Sequence, residues 1–384
     1  MNICFVSELF DTDFGGIPRV IKTYIKILSV RHHKITVITT KYKEKKSFEK
    51  NKKFNVYRFS SIPLPKSQKE YSFSIPKIKK IFKIFEKEKI DIVHFHTVSP
   101  LSLTCLFVAK KLKIPTIATT HLDSDTYFSN IGLNNNGSKI VFYKLLNKFY
   151  NRLDLVITPS SYKANLTKKF GLKKLPIIIS NGIDISEFNF DLNNRHFLRK
   201  FKLNTDNKKI LFVGRLMKEK GIDVLIKAFS IVNSKFPNTE LVIVGKGYIR
   251  KELERLVKKL KLKNVIFTGF VSDDYLKQAY ASSDIFVLPS YVESQSLVLL
   301  EALTMGLPCV GSNITAIPEL VINGWNGYTF EPGNHEELAD KIVQIIFNKK
   351  LMKKFSENSL KLVKNHDIEK TTDELEKMYK KLTK

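Results

Sequence analysis

Glu293 and Glu301, eight positions apart in DIFVLPSYVESQSLVLLEALTMG, are carboxylates set where an apolar run gives way to a helical pattern. A carboxylate accepts hydrogen bonds from two neighbouring hydroxyls at once, which suits the diols of a ribose or a hexose. Two cations stand in a comparable place earlier: Arg215 and Lys220 of GRLMKEKG follow the apolar run 209–213. A guanidinium fork and an ammonium placed there suit an anionic ligand, each charge-assisted contact worth roughly 1.5–3 kcal/mol. The same residue types also flank helices as solvated acids and lysines, so spacing alone does not decide between chemistry and surface.

Such groups need elements to hold them. Asp284 to Leu288 reads as a buried strand that stops at Pro289-Ser290. Ser294 or Ser296 is placed to cap a helix in which Leu297, Leu300 and Leu303 recur at helical spacing. The amides of its first turn, near Ser296, Leu297 and Val298, would then form an anion site. Gly15-Gly16 offers a weaker one: the pair permits close backbone approach to phosphate before a helix near Ile17, but most such pairs are only tight turns.

Strand and helix patterns alternate in two sets. The first predicts strands near 3–7, 35–39, 54–59, 91–95, 115–119 and 154–158, with helices near 17–29, 76–88 and 139–151. The second predicts strands near 209–213, 240–244 and 264–267, with helices near 220–233, 248–260 and 272–281. This is an α/β pattern of two doubly wound domains, and the polar, Asn-rich stretch 186–206 reads as the joint. Open parallel sheets bind ligands at the carboxyl ends of their strands, so two facing sheets would leave a cleft for the chemistry.

Pro289, Ser290, Glu293, Leu297, Glu301, Ala302, Gly306 and Pro308 together resemble the donor-site signature of the retaining GT4-type glycosyltransferases (glycosyl transferases group 1), which have the GT-B fold. FGGIPRV at 14–20, DIVHFHTVSPL at 91–101, TTH at 119–121, SNGID at 180–184 and VGRLMKEKGIDVLIKAF at 213–229 fit the same family. So do LVIVGKG at 241–247, GFV at 269–271, AIPELV and NGYTF, all in family order. The resemblance implies a Rossmann-like acceptor-binding domain over 1–187 and a Rossmann-like nucleotide-sugar-binding domain over 188–365. The final helix, 366–384, would cross back to the first domain.

It also implies transfer of a hexose from a UDP- or GDP-sugar to a lipid or saccharide acceptor. Anomeric configuration would be retained by front-face transfer, with no metal, no other cofactor and no assigned catalytic base. Carried over residue by residue, Glu293 positions the sugar, Glu301 the ribose, and Arg215 with Lys220 the diphosphate. Gly245 borders the nucleoside, Val271 offers backbone to the base, and Gly16 with the amides at Ser296, Leu297 and Val298 serves phosphate. His121 faces the reacting sugar, where a neutral imidazole bonds a hydroxyl or helps carry oxocarbenium-like charge. His94 and His96 read as structural. Many relatives have a glycine where this chain has Ser296 and an aromatic where it has Gln295; the glutamine is similar to the branch that glucosylates diacylglycerol.

Composition agrees with two cores: 384 residues with 43% hydrophobic content. The sequence has no apolar run near the roughly 20 residues that span a bilayer, and MNICFVSELF leads straight into a strand, so a cytoplasmic protein is expected. Cys4, Cys105 and Cys309 are widely spaced in apolar contexts, suggesting neither disulfides nor zinc. A net charge of +28 makes an anionic membrane surface a candidate partner on the cytoplasmic face. Segments 75–90 and 139–153 are the amphipathic candidates for that contact, although helices covering a sheet show the same pattern and a Lys/Asn/Ile-rich composition needs no function.

The triplets Asp11-Thr12-Asp13 and Asp123-Ser124-Asp125 could be mistaken for metal-binding acids, and Asp273-Asp274 reads as the first turn of a helix. Two other classes stay open. A nucleic-acid-binding protein would explain the charge but calls for basic residues and aromatics on one module, so no nucleic acid is expected. A GT-B-fold epimerase would share the nucleotide contacts without an acceptor pocket. UDP versus GDP, and glucose versus mannose or N-acetylhexosamine, are not distinguished.

Overall fold

A computed structural model of the chain describes residues 1–11, 15–41, 45–63, 72–121, 136–188 and 195–384. They form two compact units, Met1–Gly182 with Ile368–Lys384, and Ile183–Asp367. The first unit carries an eight-stranded sheet in the order Ile177–Ile178, Leu155–Thr158, Thr116–Thr119, Ile92–Phe95, Asn2–Val6, Lys34–Thr40, Phe54–Phe59, Phe48–Lys50. All neighbours run parallel except the last pair. The second unit has six parallel strands, in the order Val265–Gly269, Thr239–Val244, Lys208–Val213, Ile285–Leu288, Cys309–Ser312, Gly327–Phe330. Each sheet grows outward from its first strand in one direction and then restarts on that strand's other side. The neighbours Asn2–Val6 and Ile92–Phe95, and Lys208–Val213 and Ile285–Leu288, therefore mark topological switch points.

Helices on both faces bury the central strands; Ile210, Leu211, Phe212, Ile285, Phe286 and Val287 have no exposed surface. Two helices absent from the sequence-based pattern, Pro100–Lys111 and Ser161–Lys169, cover the first sheet. The first, PLSLTCLFVAKK, is apolar on most of its circumference and so gives little 3.6-residue signal. The polar stretch 186–206 contains the helix Arg195–Lys200, whose Phe197 is fully buried in the core of the second unit.

The segment 75–90, one of two candidates for membrane contact, gives most of its apolar face to the core, while Ile78 stays 48% exposed. Ile78–Lys87 turns Ile81, Ile84 and Phe85 into the core, because a helix covering a parallel sheet must bury its apolar stripe there. Helix Asn136–Tyr150 behaves differently. It buries Tyr143, Leu146, Phe149 and Tyr150, yet leaves Val141 57% and Leu145 63% exposed beside the exposed Lys144 and Lys148.

Arg31, at the end of helix Gly16–Val30, anchors the chain's last helix, Ile368–Thr383. It makes ion pairs with Glu369, Asp373 at 2.6 Å and Glu376 at 2.6 Å, and His33 adds a 2.5 Å contact to Glu376. Two of the carboxylates are largely solvated and contribute little, whereas Glu376 is 13% exposed: burial pushes its carboxyl up, but His33 and Arg31 outweigh burial and hold it below the usual range. Arg31→Ala should therefore cost about 1–2 kcal/mol and speed amide exchange selectively over Ile368–Thr383; exchange unchanged there would show that apolar packing alone holds the helix.

Candidate active site

The predicted donor-site residues gather at the carboxyl end of the second sheet, on loops that leave its switch-point strands. Lys208–Val213 ends at Gly214-Arg215, and the chain then forms a single turn, Lys218–Lys220, that halts at Gly221 with φ 61°. A Cβ at Gly221 would lie 2.2 Å from the Pro289 carbonyl oxygen, so only glycine lets this turn press against the neighbouring strand's end. Tyr291 N–H donates to the Glu219 carbonyl at 2.8 Å and ties the two loops together. Across them, the Lys220 ammonium reaches Glu293 Oε1 at 2.7 Å, with both side chains largely buried. The sequence places these two groups seventy-three positions apart; the fold makes them an ion pair.

Glu293 is clamped through its backbone. Its N–H donates to Thr315 Oγ1 at 3.2 Å, and Ala316 N–H donates back to its carbonyl at 3.4 Å. Thr315 adopts φ 57°, a left-handed conformation that a β-branched residue takes only when its surroundings enforce it. Glycine or asparagine would have signalled this turn in the sequence; threonine hides it.

Ser296 caps the next helix, Leu297–Thr304, accepting from Leu299 N–H at 3.4 Å; of the two serines considered, this is the one that caps. Glu301 lies within that helix and is 1% exposed. The Tyr280 hydroxyl donates to its Oε2 at 2.8 Å and also lies 3.2 Å from the Val298 carbonyl, fixing the carboxylate's direction. Tyr280 was not legible as a site residue, because it belongs to a different helix, Asp273–Ala281, and reads as core. Gly245 has φ 138° and its Cβ would fall 1.8 Å from the Gly214 carbonyl oxygen, so the ends of two adjacent strands meet backbone to backbone. Arg215 and Val271 are partly exposed beside them, and Asp273 and Asp274 do lie in the first turn of their helix.

In the first unit, His121 ends the strand Thr116–Thr119 and joins two other histidines from the switch-point strand. His96 Nδ1 and His121 Nε2 are 3.0 Å apart, with the rings stacked at 5.2 Å. His94 packs 4.2 Å from His96 and is held by Tyr379 at Nδ1 (2.6 Å) and Thr119 at Nε2 (2.8 Å). His94 and His96, which read from the sequence as structural, are both buried, and His96 touches the candidate site residue itself. Gly16 begins helix Gly16–Val30, behind Gly15 at φ 114°.

Asp11 is committed elsewhere, paired with the buried Arg58 at 2.5 and 3.1 Å. The remainder of that acidic triplet, and the whole of 123–125, lie outside the described residues. Among the described residues there is no group of three or more histidine, cysteine or acidic side chains arranged to hold a metal. The three cysteines are buried and unpaired with one another. A cavity lined by Asp206, Lys208 and Asp284 opens at the amino ends of the second sheet's central strands, away from all of these groups.

The model of Glycosyltransferase Family 4 matches residues 14–187, and that of glycosyl transferases group 1 matches 193–362. An uncharacterized glycosyltransferase of Methanocaldococcus jannaschii is 30% identical over 85% of this chain and 83% of its own length. The chain belongs to the GT4 glycosyltransferases.

It is therefore a transferase with the GT-B fold, and the epimerase alternative is not favoured. The alpha-monoglucosyldiacylglycerol synthase of Streptococcus pneumoniae is 26% identical over 90% of this chain and 78% of its own length. Anabaena HepE, solved in complex with UDP-glucose, superposes with a TM-score of 0.79 at 20% identity, covering 100% of both chains.

Burial keeps the histidine cluster of this GT4 enzyme neutral. It pushes His94 down to about 3, helped by His121, and His121 down to about 3, helped by Lys163; His96 is also pushed well below the ordinary value by burial and by its two neighbours. The unfolded chain takes up protons near pH 6.5 that the folded unit refuses. The cluster's contribution is therefore complete above that pH and is lost as pH falls toward about 3. Urea midpoints followed by near-UV circular dichroism should drop between pH 7 and 5, each imidazole adding up to about 1.4 kcal/mol per pH unit; flat midpoints would contradict burial of the neutral rings.

Proposed function

We propose that this enzyme transfers a hexose from a UDP-sugar to a lipid acceptor with retention of configuration and without a metal ion. The carrying observation is the Lys220–Glu293 pair, set beside Arg215 and the capped helix Leu297–Thr304 at a switch point. An ammonium has three donors, so Lys220 engages Glu293 and still reaches a diphosphate. Arg215 adds a planar fork, and the amides at Ser296, Leu297 and Val298 supply the positive end of a helix. Together they stabilise the charge that appears on the departing nucleoside diphosphate, the role a metal ion plays elsewhere. Glu301, oriented by Tyr280, takes the ribose diol; Gly245 and Val271 border the nucleoside; Gly16 offers backbone to phosphate.

As the C1–oxygen bond breaks, its electron pair leaves with the diphosphate. The acceptor hydroxyl forms the new bond on the same face. Its proton passes to the departing phosphate oxygen, whose basicity rises as the bond breaks, so no side chain need serve as base. Glu293 orients the sugar's hydroxyls, and His121, neutral, stands at the reacting face.

The lipid acceptor rests on two supports. The Streptococcus pneumoniae relative is named a synthase of a glucosylated diacylglycerol. The helix Asn136–Tyr150 shows water an apolar patch of Ile140, Val141 and Leu145 bordered by lysines, a surface fitted to an anionic membrane. Among the described residues no helix is long and apolar enough to cross a bilayer, so the contact would be peripheral. We assign residues 1–187 to acceptor binding and 188–365 to the donor, with 366–384 completing the first domain.

Calorimetry with UDP, GDP and their sugar conjugates, in EDTA, tests the donor site: micromolar UDP binding is expected, and a folded sample that binds none of them would refute it. Glu301→Ala should weaken UDP binding by about 1.5–3 kcal/mol, whereas His121→Ala should lower kcat with affinity retained. Unchanged kinetics in both variants would remove these assignments. Val141→Asp with Leu145→Asp should abolish sedimentation with anionic vesicles while sparing UDP binding.

A further inference from the structure

The His96–His121 contact has two possible protonation patterns, and the burial of His96 separates them. Both rings are neutral, so one proton lies between Nδ1 of His96 and Nε2 of His121, at 3.0 Å. If His121 were the donor, His96 would carry its own proton on Nε2. That atom is inaccessible and has no hydrogen-bond partner among the described residues, so an N–H would be orphaned inside the unit. If His96 is the donor, Nε2 bears only a lone pair, and a buried lone pair without a partner is tolerated far better than a buried orphan N–H.

The surroundings hold His96 in place. Its ring lies against Phe5 at 5.4 Å on one side and His94 at 4.2 Å, and His94 is itself fixed by Thr119 and by Tyr379 of the last helix. Burial, and then the buried Lys163, disfavour a second proton on the His121 ring.

We infer that His96 is a positioning residue that donates its Nδ1 proton to His121 Nε2 and so holds His121 as the Nδ1-protonated tautomer. The inference rests on the reading of His121 as a residue at the reacting sugar and deepens it. With Nε2 engaged and Nδ1 protonated, His121 has no lone pair with which to take a proton from an acceptor. It offers the sugar a hydrogen-bond donor and does not serve as a general base. This accords with a transfer in which the departing phosphate takes the acceptor's proton.

The tautomer can be read directly in the full-length protein labelled with 15N-histidine. Long-range 1H–15N correlation spectra, with His121 assigned by its loss in His121→Gln, should show a protonated Nδ1 and an unprotonated Nε2. A protonated Nε2 on His121 would overturn the inference whatever the enzyme's substrate.

Kinetics then test the role. His96→Asn keeps an N–H donor on the γ-carbon, where Nδ1 stood, and His96→Leu removes it. Turnover should fall about tenfold in the leucine variant and stay within about threefold of wild type in the asparagine variant, with KM for the UDP-sugar unchanged in both. Equal turnover in the two variants would overturn the positioning role. UDP binding by calorimetry separates the two ideas: wild-type protein that binds no nucleotide sinks the donor-site reading, while the tautomer measurement still decides the hydrogen bond.

Discussion

A parallel sheet covered by helices on both faces accepts a polar side chain along its strands only where a partner meets it, as Thr119 and Tyr379 meet His94. Every backbone group is paired within the sheet, and both rows of side chains are buried. Charged and hydrogen-bonding groups are therefore pushed to the strand ends. Where strand order reverses, the two crossovers leave in opposite directions and the carboxyl ends stay uncovered. Both sheets of this enzyme have one such point, and the groups of the candidate site gather there: Arg215, Lys220 and Glu293 in the second unit, His96 in the first. His121 follows the adjacent strand.

Placing charges at such a position has an energetic consequence. Lys220 and Glu293 are each largely removed from water, so desolvation is substantial and each depends on the other for compensation. Under the proposed function, a nucleoside diphosphate would bring its own negative charge to Lys220, and Glu293 would then turn part of its capacity toward sugar hydroxyls. The ion pair thus holds both groups in position before substrate arrives. The strained backbone at Thr315, bonded to the Glu293 amide, shows that the surrounding loop enforces this arrangement.

The first unit solves a different problem, which is to keep three adjacent imidazoles uncharged. A charged ring among them would meet both desolvation and repulsion. Stacking and hydrogen bonds to Thr119 and Tyr379 satisfy the neutral forms instead. Tyr379 comes from the final helix, so the order of the histidine cluster depends on that helix being docked. The Arg31 ion pairs that anchor the helix are in this sense part of the site's support.

The sequence by itself determined the alternation of strands and helices, the two-sheet architecture and the family. These follow from local periodicity and from motifs whose residues are close along the chain: a serine cap at Ser294 or Ser296, and Asp273-Asp274 in a first turn; which serine caps, and the tight approaches at Gly221 and Gly245, came from the structure. Only the tertiary structure decided which of these side chains meet. Lys220 with Glu293, Tyr280 with Glu301, His94 with Tyr379 and His96 with His121 all join separate elements, and no local pattern encodes a contact across a sheet. The same holds for the two amphipathic helices. Their lysine-and-apolar patterns look alike in sequence, yet Ile81 and Phe85 are spent on the core while Val141 and Leu145 remain in water. The difference lies in how much of each helix the sheet covers, a quantity fixed by packing.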